Sequence, residues 1–271
     1  MKVVVYKALA FIKRDFSIES GYQVAFLMGL FESIMLLVVF HFIGQLISPK
    51  ASTSLTKYGE HYFPFVLVGI AFARYFELML KMFSESIRNA QVTGCLEAML
   101  CSQTNAITVA MMSSLYSLIS GAVQLLLILL GGVLLFRVDL THMNIPATLL
   151  VLLVSVAIFI AFGVLSASAI LWLKKGDPIT WVLGGFGSIL GGAYFPIDVM
   201  PVWMQKLSFL IPITYSLDAL RTTMLRGGSI TLVAKPVITL GIMAVILLPA
   251  STAIFAATVR RCKREGTLTQ Y

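Results

Sequence analysis

Four charged residues stand inside apolar stretches, where charge is expensive to keep. Arg74, Glu77 and Lys81 are spaced i, i+3 and i+7, which places them on one face of a helix. Glu32 lies in the preceding apolar stretch, at a depth of about 12 Å against about 14 Å for Arg74. An unpaired charge in a bilayer costs at least about 2.5–3.5 kcal/mol. We therefore predict an intramembrane charge cluster in which Glu32 pairs with Arg74, acting either as a lever that carries motion or as a static packing bridge.

The sequence contains little that could make or break covalent bonds. It has no G-x-x-x-x-G-K-[ST] phosphate-binding loop, and its three histidines, His41, His61 and His142, lack metal-ligand spacing. No two carboxylates stand at catalytic spacing. We expect no catalytic residue, no metal site and no cofactor in this chain.

The composition requires a membrane. Of the 271 residues, 59% are hydrophobic and 12% are charged, whereas soluble domains carry roughly 25% charged residues. The formal net charge of +8 is explained more simply by cytoplasmic Lys and Arg near anionic lipid than by nucleic acid.

Hydropathy predicts an all-α integral membrane protein. A bilayer needs about 20 apolar residues per helix, and six such spans are predicted at about 24–47, 61–83, 107–136, 147–173, 179–195 and 236–259. With both termini in the cytoplasm, twelve Lys and Arg lie inside and seven outside, as the positive-inside rule requires. Residues 1–20 are predicted to form a cytoplasmic interfacial helix, and residues 21–271 a single transmembrane domain.

The segment 196–228, between the last two predicted spans, is too rich in proline for a span. Pro196 breaks the fifth span, Pro201 suits the start of a short helix, and Pro212 ends that helix. Ser216 is expected to cap a second short helix, which Gly227 would end in the left-handed conformation. We predict two short re-entrant helices that close the outer end of a pathway, or else form a surface lid.

The same segment carries a family resemblance. "GGAYFPIDVMPVWMQKLSFLIPITYSLDALR" resembles the late signature of type-2 ABC transporter permeases, the membrane-spanning subunits of those transporters. The residues that match the signature are Phe195, Pro196, Pro201, Trp203, Pro212, Thr214, Tyr215 and Arg221. All of them except Thr214 are assigned to the predicted outer gate. It implies that residues 21–271 form a permease domain in the plasma (inner) membrane of a bacterium.

A second, shorter match lies in "RNAQVTGCLEAML", which is similar to the Gly-x-Leu-Glu element of the family. The resemblance implies a coupling loop at 84–105 that docks on a separate cytoplasmic ATPase, with Glu85, Arg88, Gly94 and Glu97 as coupling contacts, aided by residues 1–16. ATP and Mg²⁺ would then bind the partner, and a second permease chain, most simply an identical copy, would complete the path. The alternative is that Glu85, Arg88 and Glu97 are ordinary charged residues of a solvated loop, without a role in coupling.

The predicted function is export of a drug-like or lipid amphiphile by a dimer driven by that ATPase. Lipid-linked polysaccharide is an alternative substrate, although "KRDFSIESGYQ" lacks the arginine that polysaccharide permeases carry before Tyr22. An ion-coupled carrier or channel, and a membrane assembly factor without transport, are alternatives of other classes. Gly187 and Gly191 form G-x-x-x-G, which fits either a dimer seam or a tight contact within the chain.

Overall fold

The computed structural model describes residues 2–19, 23–46, 58, 61–94, 106–173 and 177–265. Within these ranges the secondary structure is helical, without β-strands, as predicted. Glu97 and the rest of the predicted coupling loop beyond Gly94 lie outside the described residues.

Ten helices are described. They are α1 Lys2–Glu19, α2 Gln23–Leu46, α3 Tyr62–Val92, α4 Ala106–Ser113, α5 Leu115–Phe136, α6 Ile145–Leu173, α7 Pro178–Leu190, α8 Val202–Ser208, α9 Pro212–Leu225 and α10 Ala234–Glu265. A 3-10 turn, Ile197–Val199, precedes α8.

Five of the six predicted spans are long and apolar enough to cross a bilayer. They lie in α2, α3, the α4–α5 pair, α6 and α10. Two of the helices continue beyond the predicted bounds, α3 to Val92 and α10 to Glu265. Hydropathy detects only the part of a helix that lipid favours, and the polar residues that follow keep the same backbone hydrogen bonding.

The helix found at the fifth predicted span, 179–195, is shorter than predicted. The helix α7 ends at Leu190, so its length of about 20 Å at 1.5 Å per residue is less than the ~30 Å thickness of a bilayer core. Its middle, Trp181–Phe186, is a π-helix. The chain then turns at Gly191 and Gly192, and the residues from Ala193 to Pro196 are not helical.

The helix α3 is the centre of the bundle. In the most apolar 18-residue stretch of α3, 72% is buried inside the protein, whereas in the corresponding stretch of α2 only 11% is buried. Four phenylalanines along it, Phe65, Phe72, Phe76 and Phe83, are fully buried. Most of the surface of α3 is packed against other helices. Its charged stripe, formed by Arg74, Glu77 and Lys81, lies on the side that α2 and α7 leave partly open.

The segment between α7 and α10 contains the two short helices that were predicted, α8 and α9. The start of α9 was predicted wrongly: the helix begins at Pro212, and Ser216 lies buried in its second turn. The Ser155 hydroxyl donates to Ser216 at 2.9 Å, while Ser216 itself donates to the Pro212 carbonyl. Proline fits the first turn because the amide it lacks has no partner there. Gly227 has φ 65°, as predicted for the residue after the helix.

The two glycines of the G-x-x-x-G pair pack within the chain. Both are buried, and a Cβ on Gly191 would lie 2.3 Å from Cγ2 of Ile213 on α9. A Cβ on Gly187 would lie 3.6 Å from the Phe76 ring of α3. Of the two predicted alternatives, the structure supports the tight contact within the chain.

Candidate functional site

The predicted charge cluster is a continuous chain of ion pairs. Lys81 Nζ lies 2.5 Å from Glu77 Oε1, and Arg74 Nη1 lies 3.5 Å from Glu77 Oε2. Arg74 Nη2 contacts Glu32 Oε1 on α2, so the predicted pairing of these two residues is present. Two carboxylates and two cations thus neutralise one another along a line from α2 down α3.

This chain of charges faces outward from a single subunit. The Glu32 side chain is 68% exposed, and Lys81 is 41% exposed, whereas Arg74 and Glu77 are more than two-thirds covered. Charged groups at membrane depth normally face a protein interior or a water-filled cavity. The exposed side of the cluster is therefore a surface that needs a cover of protein or water.

A cleft of about 550 Å³ lies between α3 and α7 and joins two of the predicted residue sets. Glu77 and Lys81 of the charge cluster line it, and so do Glu85 and Arg88, which were assigned to ATPase coupling. Gly94 lies beyond the end of α3 with φ 71° and does not line the cleft. The remaining lining residues are Ser84, Ile170, Asp177, Thr180, Trp181, Gly185, Phe186 and Ile189.

Asp177 is the residue of this cleft that the sequence analysis missed. One of its carboxylate oxygens accepts hydrogen bonds from the Ser166 and Thr180 hydroxyls, each at 2.5 Å, and the other accepts from the Thr180 N–H at 3.0 Å. Burial alone would raise the pKa of Asp177, but these donors, with a contribution from Ser84, hold its pKa below the ordinary value. The carboxylate is therefore ionised at neutral pH.

The sequence did contain a signal for Asp177 as the start of a helix. It is the N-cap of α7, with Pro178 in the first turn. An Asp-Pro pair before an apolar run is a common helix start. What the sequence could not indicate is Ser166, because that hydroxyl comes from α6 and reaches Asp177 only through the packing of two helices.

The π-helical part of α7 supplies an aromatic wall. Trp181 is 71% exposed, and its ring centroid lies 5.7 Å from that of Phe186 in an edge-to-face arrangement. At Gly184 the helix approaches the Glu77 side chain, since a Cβ there would lie 3.4 Å from Glu77 Cγ. The cleft thus has an ionic wall on α3 and an aromatic wall on α7, and π-helical turns are frequent at functional sites.

The predicted outer-gate residues are not part of this cleft. Arg221 is buried, with 3% exposure, and its guanidinium carbon Cζ lies 3.4 Å from the centroid of the Phe65 ring. Its Nε donates to the Phe65 carbonyl at 3.1 Å and its Nη2 to the Ala193 carbonyl at 3.0 Å. Arg221 thereby ties α9 to α3 and to the turn that follows α7.

The other six residues of that set lie in α8, in α9 or in the turns beside them, and Phe195 is half-buried in the non-helical stretch after α7. Pro196 is buried before the 3-10 turn, Pro201 is the N-cap of α8, and Pro212 is in the first turn of α9. The Trp203 side chain is 63% exposed. The Tyr215 hydroxyl donates to the Phe209 carbonyl at 2.9 Å.

Ser208 is a second residue that sequence reasoning missed. Its hydroxyl donates to the Leu190 carbonyl at 2.6 Å, and its own carbonyl accepts from Thr214 at 2.6 Å. A lone serine at a helix end carries no signal for such a contact. Through Ser208 the end of α7 is fixed to both α8 and α9.

Comparison with known protein families bears on these observations. The sequence model of the ABC-2 type transporter family matches residues 7–225, which is well over half of the chain. Comparison with curated proteins finds no significant match. With five helices able to span a bilayer, this chain is a multi-pass membrane protein that belongs to the ABC-2 type transporter family, as a membrane-spanning permease subunit.

Proposed function

We propose that this chain forms the substrate path of an exporter as one half of a dimer, most simply a homodimer, and that a separate cytoplasmic ATPase drives it. The observation that carries the proposal is the outward-facing chain of charges between Glu32 and Lys81. The sequence has no phosphate-binding loop, so ATP and Mg²⁺ would bind the partner.

The second copy would cover the exposed charge. Glu32 is flanked on α2 by the exposed side chains of Met28, Phe31 and Met35, which fit against protein as well as against lipid. A charge left against lipid costs about 2.5–3.5 kcal/mol. Packing of two copies around this face would surround the charges with protein and water, and would place the path between the copies.

The helix α3 is suited to carry motion from the ATPase. Its 31 residues extend about 46 Å at 1.5 Å per residue, roughly 16 Å more than a bilayer core. Glu85 and Arg88 lie in the part that would project toward the cytoplasm. We assign Arg88, together with Gly94 and Glu97, to the contact with the ATPase, supported by α1 at the membrane surface. Glu85, which was predicted with them, lines the cleft beside α7.

The segment 196–228 would close the path at the opposite end. In this arrangement both termini are cytoplasmic, and the host membrane is the plasma (inner) membrane of a bacterium. The hydrogen bonds of Arg221 and Ser208 would move α8 and α9 together with the end of α7. The substrate would be a drug-like or lipid amphiphile, with lipid-linked polysaccharide as the alternative.

Purification from native membranes tests the proposal. An ATPase subunit should copurify with the chain in equal amount, and Arg88→Glu should reduce its recovery. Lys206→Glu, which makes the same charge change on an exposed side chain of α8, should leave recovery unchanged. Uphill transport by the purified chain alone, driven by a proton or sodium gradient, would instead establish an ion-coupled carrier.

A further inference from the structure

The cleft between α3 and α7 has an excess of negative charge. Three carboxylates, Glu77, Glu85 and Asp177, and two cations, Lys81 and Arg88, line it. Lys81 is already paired with Glu77 at 2.5 Å. The remaining lining charges are therefore two carboxylates and one guanidinium.

The two remaining carboxylates differ in their surroundings. Asp177 is held in place by the hydroxyls of Ser166 and Thr180. Glu85 is partly exposed and makes no hydrogen bond or ion pair to another residue in the described part of the chain. Its partial burial raises its pKa, and the nearby Lys81 and Arg88 oppose that shift. A carboxylate in this state can accept hydrogen bonds from a ligand without first giving up a partner.

The opposite wall suits a cation that carries an apolar group. Trp181 and Phe186 line the cleft, and aromatic faces attract ammonium groups, tryptophan most strongly. Ile170 and Ile189 extend the apolar lining. The volume of about 550 Å³ lies within the range of roughly 300–1,000 Å³ found for sites that take drug-sized molecules.

We infer that this cleft binds the ammonium group of a cationic amphiphile, with Glu85 and Asp177 facing the charge, Trp181 against its face, and the apolar tail along Phe186 and Ile189. The inference rests on the proposed function, since it assigns a substrate class to the permease. It narrows the proposed substrate class from drug-like or lipid amphiphiles in general to those that carry a positive charge.

Binding to the full chain in lipid nanodiscs tests the inference without the ATPase. Rhodamine 6G, a fluorescent lipophilic cation, is titrated against the protein and followed by anisotropy, with empty nanodiscs subtracted. Dodecyltrimethylammonium and dodecyl sulfate, which share one tail and differ in the sign of the head, then compete for the site. We expect the ammonium compound to displace the probe and the sulfate to leave it bound.

Variants locate the site. Glu85→Gln should weaken binding of the cation about two- to fivefold, the upper part of the range for a partly exposed ion pair. Trp181→Leu keeps the wall apolar and should reduce the preference for the ammonium head. Asp198→Asn removes one exposed carboxylate outside the cleft and is the matched control. Thermal unfolding of each variant shows that the fold is retained.

Equal displacement by both detergents, or equal binding by Glu85→Gln and Asp198→Asn, would overturn the inference. These outcomes would leave the proposed function intact, because copurification of the ATPase does not depend on the substrate. Conversely, absence of the ATPase would overturn the proposed function even if the cleft bound the cation.

Discussion

The substitution Gly69→Ala tests how α3 is joined to the turn after α7. A Cβ at position 69 would lie 1.9 Å from the Ala193 carbonyl oxygen and 2.6 Å from Arg221 Nη2. Carbon and oxygen normally approach to about 3.3 Å. The methyl group would therefore displace the acceptor that Arg221 uses, as well as the guanidinium itself.

The expected loss can be worked from these contacts. Forcing a methyl group into a packed interior costs about 1–3 kcal/mol. Loss of a hydrogen bond from a buried charged group costs about 1.5–3 kcal/mol more. For a chain of this size, a total of about 3 kcal/mol or above lowers the melting temperature by at least about 6 °C.

Gly131→Ala on α5 is the matched control, since a Cβ there meets nothing within 4 Å. Alanine is favoured over glycine in a helix by about 1 kcal/mol, so this variant should be as stable as the wild type or slightly more stable. Both variants are purified in the same detergent, and their apparent melting temperatures are compared by size-exclusion chromatography after heating. Equal melting temperatures would refute the packing described for Arg221 and Ala193.

Three further predictions concern the charge cluster and α7. Glu32→Arg or Arg74→Glu alone should abolish transport by the reconstituted complex, and the double reversal should restore it; a double variant as inactive as the single ones would argue against a functional pair. Asp177→Ala should lower stability at neutral pH by about 1 kcal/mol, the usual effect of losing an N-cap. Because the pKa of Asp177 is lower in the folded protein than in the unfolded chain, its stabilising effect exists above the unfolded pKa of about 3.9 and is lost as the pH falls through the folded pKa. The difference from the wild type, measured by melting temperature, should therefore shrink below about pH 4, and a difference that does not change with pH would count against this role. Gly191→Ala should be destabilised by a contact of 2.3 Å with a methyl group of α9, whereas Gly185→Ala, whose Cβ meets nothing within 4 Å, should melt like the wild type; similar melting temperatures for the two would contradict the packing of α7 on α9.

The sequence predicted well those features that one segment of chain determines. Hydropathy located five spans, because lipid selects apolar residues directly. Helical spacing placed Arg74, Glu77 and Lys81 on one stripe, and the cost of unpaired charge in a membrane predicted the partner, Glu32. Proline positions predicted two short helices after α7, although not the start of the second.

The length of α7 was less predictable. Its residues are apolar up to the glycines at 191 and 192, so hydropathy extends the span to residue 195. The helix ends earlier at a glycine cap: Gly192 has φ 77°, and the Ala193 N–H donates back to the Ser188 carbonyl at 3.0 Å. Hydropathy does not register such a cap, because glycine is apolar.

Composition, helical periodicity and membrane energetics thus determined the class of protein, the spans and the pairing of the intramembrane charges. Only the tertiary structure decided that Asp177 and Ser166 meet beside Glu85, and that Gly69 allows Arg221 to reach Ala193. The physical reason is that spacing along one helix fixes which side chains share a face. Which faces meet depends on close packing between helices that are far apart in the chain, and that packing is governed by shape over many residues at once.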